Sequence, residues 1–167
     1  MLYHLLVPLA DQSSFFNLFQ YISFRAAWAM VTALAISYAL YPWFIDRMQR
    51  LKMEQIVRSG KNAPEHHSKV GTPTMGGIPI IIGITISTLL WARLDQPVVW
   101  MSLVVFLGYG GLGFYDDYKK VTKKSSDGLA GRWKLVGQTS IAGVVLGVGW
   151  MTGVIEPDLV LPFFKNA

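Results

Sequence analysis

Four stretches of this 167-residue chain contain no Asp, Glu, Lys, Arg or His: 26–45, 70–92, 96–115 and 135–155, of 20, 23, 20 and 21 residues. About 20 mainly apolar residues, at 1.5 Å rise each, cross the roughly 30 Å hydrocarbon core of a bilayer. Each stretch is long enough for a spanning helix. Buried helices of a large soluble protein have a similar pattern. However, only 15% of this chain is charged, against about 25% in an average soluble domain, which leaves too little polar chain to wrap four of them. The expected fold class is therefore all-α: a polytopic integral membrane protein with one membrane domain and four transmembrane helices, at 22–45, 74–93, 97–115 and 135–155.

The polar segments between these stretches differ in charge. Segment 46–69 holds Arg47, Arg50, Lys52, Arg58, Lys61 and Lys69; segment 116–134 holds Lys119, Lys120, Lys123, Lys124, Arg132 and Lys134. Twelve of the 15 Lys and Arg thus lie in two connections, and Arg25, Arg93 and Lys165 are the remainder. The positive-inside rule makes loops 46–73 and 116–134 cytoplasmic and puts both termini outside. A net charge of +5 would by itself allow nucleic acid, an acidic substrate or an anionic membrane as partner. Segregation of the charge ties it to topology and leaves no case for nucleic acid, while several loop cations suit anionic lipid headgroups.

The chain has no Cys, which excludes disulfides, thiolate-ligated metals and a thiol nucleophile. No Lys or Arg precedes Arg25, so the N-terminus lacks the basic region of a cleavable signal. Residues 1–20, mixed in polarity and rich in aromatics, read as an outer interfacial segment. The outer tail, 156–167, reads as a strand or an irregular piece. Tyr and Trp near the ends of the runs suit interfacial anchoring, and Arg25 and Arg93 are expected to snorkel to the outer interface.

Residues 108–113 read GYGGLG and match the G-x-G-x-x-G string of dinucleotide-binding proteins. That fingerprint needs a strand before it and a helix starting at it; here the glycines lie inside an apolar run, where small residues let membrane helices approach closely. Gly143, Gly147, Gly149 and Gly153 get the same interpretation. Asp116 and Asp117 follow the third run, where a helix leaves the hydrocarbon, and acids at that depth are costly and often functional. They project about 100° apart on a helix, so a cation between them and a neighbouring helix is one reading, and pairing with Lys119 and Lys120 is the other. KVGTPTMGG (69–77) enters the second run from the same side. Its Lys69, Thr74 and helix-start N–H groups suit an anion, although Thr capping and Pro in a first turn account for the same letters. His66 and His67 are adjacent, a poor geometry for zinc without further ligands. Acids, lysines and helix-start donors on one membrane face suit Mg²⁺ and a phosphorylated substrate, because Mg²⁺ binds through one or two carboxylates plus phosphate oxygens.

HHSKVGTPTMGGIPI (66–80), GYGGLGFYDDYKKV (108–121) and GLAGRWK (128–134) closely resemble the bacterial phospho-N-acetylmuramoyl-pentapeptide transferases, within the superfamily of polyprenyl-phosphate N-acetylhexosamine-1-phosphate transferases. The similarity runs from YISFRA (21–26) to VLPFFK (160–165). The resemblance implies a multi-pass enzyme of the bacterial inner membrane, active on its cytoplasmic face. It would transfer phospho-N-acetylmuramoyl-pentapeptide from its UDP carrier to undecaprenyl phosphate, giving lipid I and UMP in peptidoglycan synthesis, with Mg²⁺ as cofactor and a homodimer as the assembly. Asp116 and Asp117 fall on the family's catalytic and metal-binding aspartate pair, and Lys69, Thr74, Lys120 and Lys134 on its substrate-binding positions. Asp117 is expected to orient the lipid phosphate or the metal rather than act as a base. Family members are about twice this length, with some ten spanning helices, so this sequence resembles a truncated part expected to be inactive alone. A sister transferase using another UDP-N-acetylhexosamine, or a non-catalytic membrane protein that binds lipid phosphate or a partner, are the alternatives.

Overall fold

The computed structural model describes residues 1–11, 13–51, 75–123 and 128–155. Among these the chain is all-helical, as its class predicts. A short helix α1 (Leu2–Leu6) and two 3₁₀ segments (Val7–Asp11 and Ser14–Gln20) precede four long helices: α2 (Ile22–Arg50), α3 (Gly77–Trp91), α4 (Pro97–Thr122) and α5 (Gly131–Met151). The long helices overlie the four uncharged runs. Most of loop 46–73 and all of the tail 156–167 fall outside the described residues, and with them Lys69, Thr74, His66 and His67.

The helix ends depart from the expected boundaries in instructive ways. Helix α4 continues through the charged DDYKK sequence to Thr122, since nothing there breaks the ladder and Asp–Lys pairs at i,i+3 and i,i+4 support it. Helix α3 starts late and stops early. Met75 before it has φ of 64°, and Ala92 after it is extended. Its 15 residues rise about 22 Å, short of the hydrocarbon thickness. Helices α2 and α4 are long and apolar enough to cross a membrane. Only 11% and 6% of their apolar windows are buried, so they turn apolar side chains outward rather than into a soluble core. Helix α5 has the length, but Arg132, Lys134, Gln138 and several glycines dilute its apolar character.

Successive long helices are antiparallel. Helices α2 and α3 pack most extensively, followed by α4 against α5, while α3 and α4 touch more sparsely. Ser87 Oγ donates to the Ala29 carbonyl, Ser37 Oγ to the Pro79 carbonyl at 3.3 Å and Trp91 Nε1 to Thr32 Oγ1 at 3.0 Å. Gly83 permits this approach, because a Cβ there would stand 2.7 Å from the Ala33 carbonyl oxygen. Gly108 and Gly110 likewise seat Ile141 of α5 and Ile81 of α3, whereas Gly137 and Gly149 seat Leu112 and Met101 of α4. The packing interpretation of the glycines holds for these positions. Gly111, Gly113, Gly143 and Gly147 meet no neighbour among the described residues, and Gly153, with φ of 67°, marks a turn after α5.

This arrangement gathers the ends of α2 and α4 with the starts of α3 and α5. Arg47, Arg50, Lys119, Lys120, Lys123, Arg132 and Lys134 therefore share one end of the bundle. Phe44, Met48 and Met75 form a small buried cluster there, with Ile78 and Val121 against it. It fastens the entry of α3 to α2 and α4. At the opposite end lie Arg25, Arg93 and the N-terminal segment. Arg25 is buried there and donates from Nη1 to the Phe19 carbonyl at 3.2 Å.

Candidate functional site

Helix periodicity separates the two adjacent aspartates. Asp116 turns into the bundle and is 5% exposed, while the side chain of Asp117 remains 34% exposed. Asp116 Oδ2 accepts from Lys120 Nζ at 2.7 Å, one helical turn on, and from Lys134 Nζ at 2.8 Å, in the first turn of α5. Its Oδ1 accepts the Leu129 backbone N–H at 2.6 Å. Lys120 also reaches Asp117 Oδ1 at 3.1 Å. Asp116 thus ties the end of α4 to the residues that lead into α5 and holds two ammonium groups beside one oxygen.

The electrostatics follow from these contacts. Asp116 lies beyond the apolar part of α4, which ends at Tyr115. Burial there opposes ionisation of its carboxyl, but the hydrogen bonds from Lys120, Lys134 and the Leu129 N–H outweigh burial and hold it below the ordinary carboxylate range. The hydrogen bonds to Asp116 and then Asp117 raise Lys120 above its usual value. Two carboxylates and two ammoniums sum to zero charge. Each lysine has three donors, so donors remain for an incoming phosphate, yet a dianion needs positive charge from elsewhere.

Met75, Gly77, Ile78, Ile81, Gly110, Gly113, Phe114, Asp116 and Asp117 line a cleft of about 260 Å³ between the start of α3 and the end of α4. The two acids form its polar wall. The structure thus brings together Asp116, Asp117, Lys120 and Lys134, four of the six residues singled out in the sequence. Lys69 and Thr74 lie outside the described residues, on the segment that ends at Met75.

The donor set bears differently on the two acids as metal ligands. Asp116 accepts three protein donors, two on Oδ2 and one on Oδ1, so a cation on Oδ2 would have to displace an ammonium, and one on Oδ1 would share it with the Leu129 N–H. Asp117 uses Oδ1 for Lys120, and its Oδ2 has no protein donor among the described residues. No group of three His, Cys, Asp or Glu that could hold a metal occurs among the described residues. One carboxylate with phosphate oxygens and water still meets the usual requirement of Mg²⁺.

Three contributors were not singled out in the sequence. Gly128 lies against the acid, where a Cβ would collide with Asp116 Oδ1 and stand 2.8 Å from Lys120 Cε. The Leu129 N–H is a backbone donor, which no letter advertises. Met75 holds a positive φ that a non-glycine residue adopts only at a cost. Only Gly128 left a signal, as the first glycine of GLAGRWK.

Comparison with curated proteins places this geometry in context. Over 99% of its length the chain is 48% identical to a phospho-N-acetylmuramoyl-pentapeptide-transferase of Syntrophus aciditrophicus (strain SB). It is 44% identical to that of Citrifermentans bemidjiense and 45% identical to that of Pelobacter propionicus, again over 99% of the chain. In each case it covers 46% of the relative, corresponding to the N-terminal part. The chain therefore spans about half the length of the curated relatives it matches. No family model matches it. By name, these relatives are transferases of a phospho-sugar pentapeptide.

Proposed function

We propose that this chain supplies the N-terminal half of the active site of a phospho-N-acetylmuramoyl-pentapeptide transferase in the bacterial inner membrane. Four helices would cross the bilayer, both termini would lie outside, and the acidic cluster would face the cytoplasm. The observation that carries the reading is the convergence of Asp116, Asp117, Lys120 and Lys134 at the bundle end that also holds Arg47 and Arg50. The identity to named transferases over nearly the whole chain supports it.

The proposed reaction exchanges one phosphate attachment for another. An oxygen of undecaprenyl phosphate forms a bond to the sugar-bearing phosphorus of UDP-N-acetylmuramoyl-pentapeptide, and the bond to UMP breaks, leaving lipid I. A phosphate monoester has a second pKa of about 6, so the attacking phosphate is mostly dianionic at neutral pH and gains little from a base. Stabilising charge on the transferring group is the larger task. Lys120 and Lys134, fixed side by side on Asp116, donate to phosphate oxygens. Asp116 positions them. Asp117 would hold Mg²⁺ through Oδ2, and the charge of that ion would make the neutral cluster attractive to phosphate. Lys69 and Thr74 add a cation and a hydroxyl from the segment entering α3.

Reconstitution with the C-terminal remainder of the Syntrophus relative, in vesicles containing undecaprenyl phosphate, tests this reading. Lipid-linked product is expected from UDP-N-acetylmuramoyl-pentapeptide but not from UDP-N-acetylglucosamine. Lys134→Ala should lower the rate by about 10²–10³-fold, the range for losing one preorganised donor. Product from UDP-N-acetylglucosamine instead would point to a sister transferase. No product and no nucleotide binding, with both halves inserted, would point to a non-catalytic membrane protein.

A further inference from the structure

At the end of the bundle opposite the acidic cluster, Arg25 and Arg93 line a cavity of about 300 Å³ with Ile22, Ala26, Trp91 and Val99. They are the only Lys or Arg of the described residues at that end. Both guanidiniums lie over the ring of Tyr3, at 4.5 and 4.9 Å from its centre. This holds them together while their edge N–H groups remain donors. Asp95 engages Arg93 at 2.8 Å, and it neutralises one of the two cations. Arg25, which is nine-tenths buried, donates from its side chain to the Phe19 carbonyl. Trp91, stacked between Phe19 and Trp28, sets this level at an aromatic belt of the kind found where headgroups begin.

The cavity continues into a second one. Ala29 and Thr88 line both it and an apolar groove of about 570 Å³ that follows α2 and α3 past Ala33, Ser37 and Ile84 to Tyr41. From Ile22 to Tyr41 the two extend about 28 Å along α2, at 1.5 Å per residue, with Arg25 and Arg93 at one end and largely apolar walls throughout. We infer that this groove is a binding site for one anionic glycerophospholipid. Arg25 and Arg93 take its phosphodiester, and one acyl chain lies between α2 and α3. Two guanidiniums against the one carboxylate of Asp95 leave a positive excess, which favours a phosphodiester without a compensating ammonium, as in phosphatidylglycerol, over a zwitterionic headgroup. The inference requires a bilayer around the helices but not phospho-sugar transfer, so failure of either can be told from failure of the other.

The test is native mass spectrometry of the full chain released in mild detergent from vesicles of equal phosphatidylglycerol and phosphatidylcholine. One retained phosphatidylglycerol is expected. Arg93→Gln removes an exposed cation and should lower its retention about tenfold, the loss of one charge-assisted contact. Ala26→Leu keeps both arginines but narrows the groove, and should do the same. Arg47→Gln, at the other end, should change nothing. Retention unaltered by both Arg93→Gln and Ala26→Leu, or lowered equally by Arg47→Gln, would overturn the inference. So would displacement by millimolar inorganic phosphate, which would indicate a free-anion site, or a dimer in place of the lipid adduct, which would assign the groove to a second copy.

Discussion

Two identical neighbours, Asp116 and Asp117, differ because one helical step of about 100° turns the first toward α5 and leaves the second at the cleft. Asp116→Asn would leave Lys120 and Lys134 facing a weaker acceptor. A fully buried pair broken on one side costs about 3–5 kcal/mol; the lysines here are more than one-third exposed, so about 1–3 kcal/mol is expected after allowing for solvent screening. Thermal unfolding in detergent would measure it. The pH dependence follows from the two shifts. The folded pKa of Asp116 is depressed, so its contribution is full above about pH 4, the unfolded carboxylate value, and is lost as pH falls through the lower folded value. The folded pKa of Lys120 is raised, so its contribution is full below about pH 10 and is lost as pH rises through the higher folded value. The wild-type minus Asp116→Asn difference in melting temperature should be flat from about pH 5 to 9, and a slope inside that window would contradict this pairing. Gly128→Ala drives a methyl into the Asp116 carboxylate and should abolish transfer in the reconstituted enzyme while leaving membrane insertion intact. Of this cluster, the Asp116–Lys120 spacing of four was legible in the sequence. The link to Lys134 was not, because it depends on how α5 returns against α4, and neither was the inequality of the two acids.

The glycine positions show which element contacts carry the bundle. Gly83 is where α3 meets α2 most closely, and Gly83→Leu must push the backbones apart against Ala33 and Ser37. Overpacking of that kind costs about 1–3 kcal/mol and would also break the Ser37–Pro79 and Ser87–Ala29 hydrogen bonds. Gly111→Ala is the control, because a Cβ there meets nothing within 4 Å. It should be neutral or stabilising by up to about 1 kcal/mol through helix propensity. Unfolding of the two variants in mixed micelles would separate the cases, and equal destabilisation would show that the α2–α3 contact is not the tight one. Charge spacing located α2, α4 and α5 because a missing charge reports hydrophobic surroundings directly. It overestimated α3, since 70–76 is uncharged without being helical over its last described residues. Hydrophobicity cannot distinguish an apolar loop end from a helix, and Met75, buried with Phe44 and Met48, has a positive φ that its letter does not advertise.

At the scale of the molecule, antiparallel packing and segregated charge point to the same topology from independent sides. Hydrogen bonds between α2 and α3 and the seating of Ile141 and Leu112 between α4 and α5 require that the chain reverse at each connection. The basic residues then collect at one end without any reference to a membrane. The proposed bilayer would supply the reason, because cytoplasmic connections of membrane proteins retain Lys and Arg. The 22 Å of α3 is the weak point of a four-crossing arrangement: a helix that short must thin the bilayer or rely on its partners to cover its ends. The absence of Cys makes the question directly testable, since any introduced thiol is the only one. Single variants Arg50→Cys and Lys123→Cys should react with a membrane-impermeant maleimide only in inside-out vesicles, and Asp95→Cys only in right-side-out vesicles. Labelling of Asp95→Cys from the same side as Lys123→Cys would mean that α3 and α4 enter and leave by one face. The cationic mouth at Arg25 and Arg93 and the acidic cluster at Asp116 would then no longer be separated by the membrane, and the four-crossing topology would be wrong.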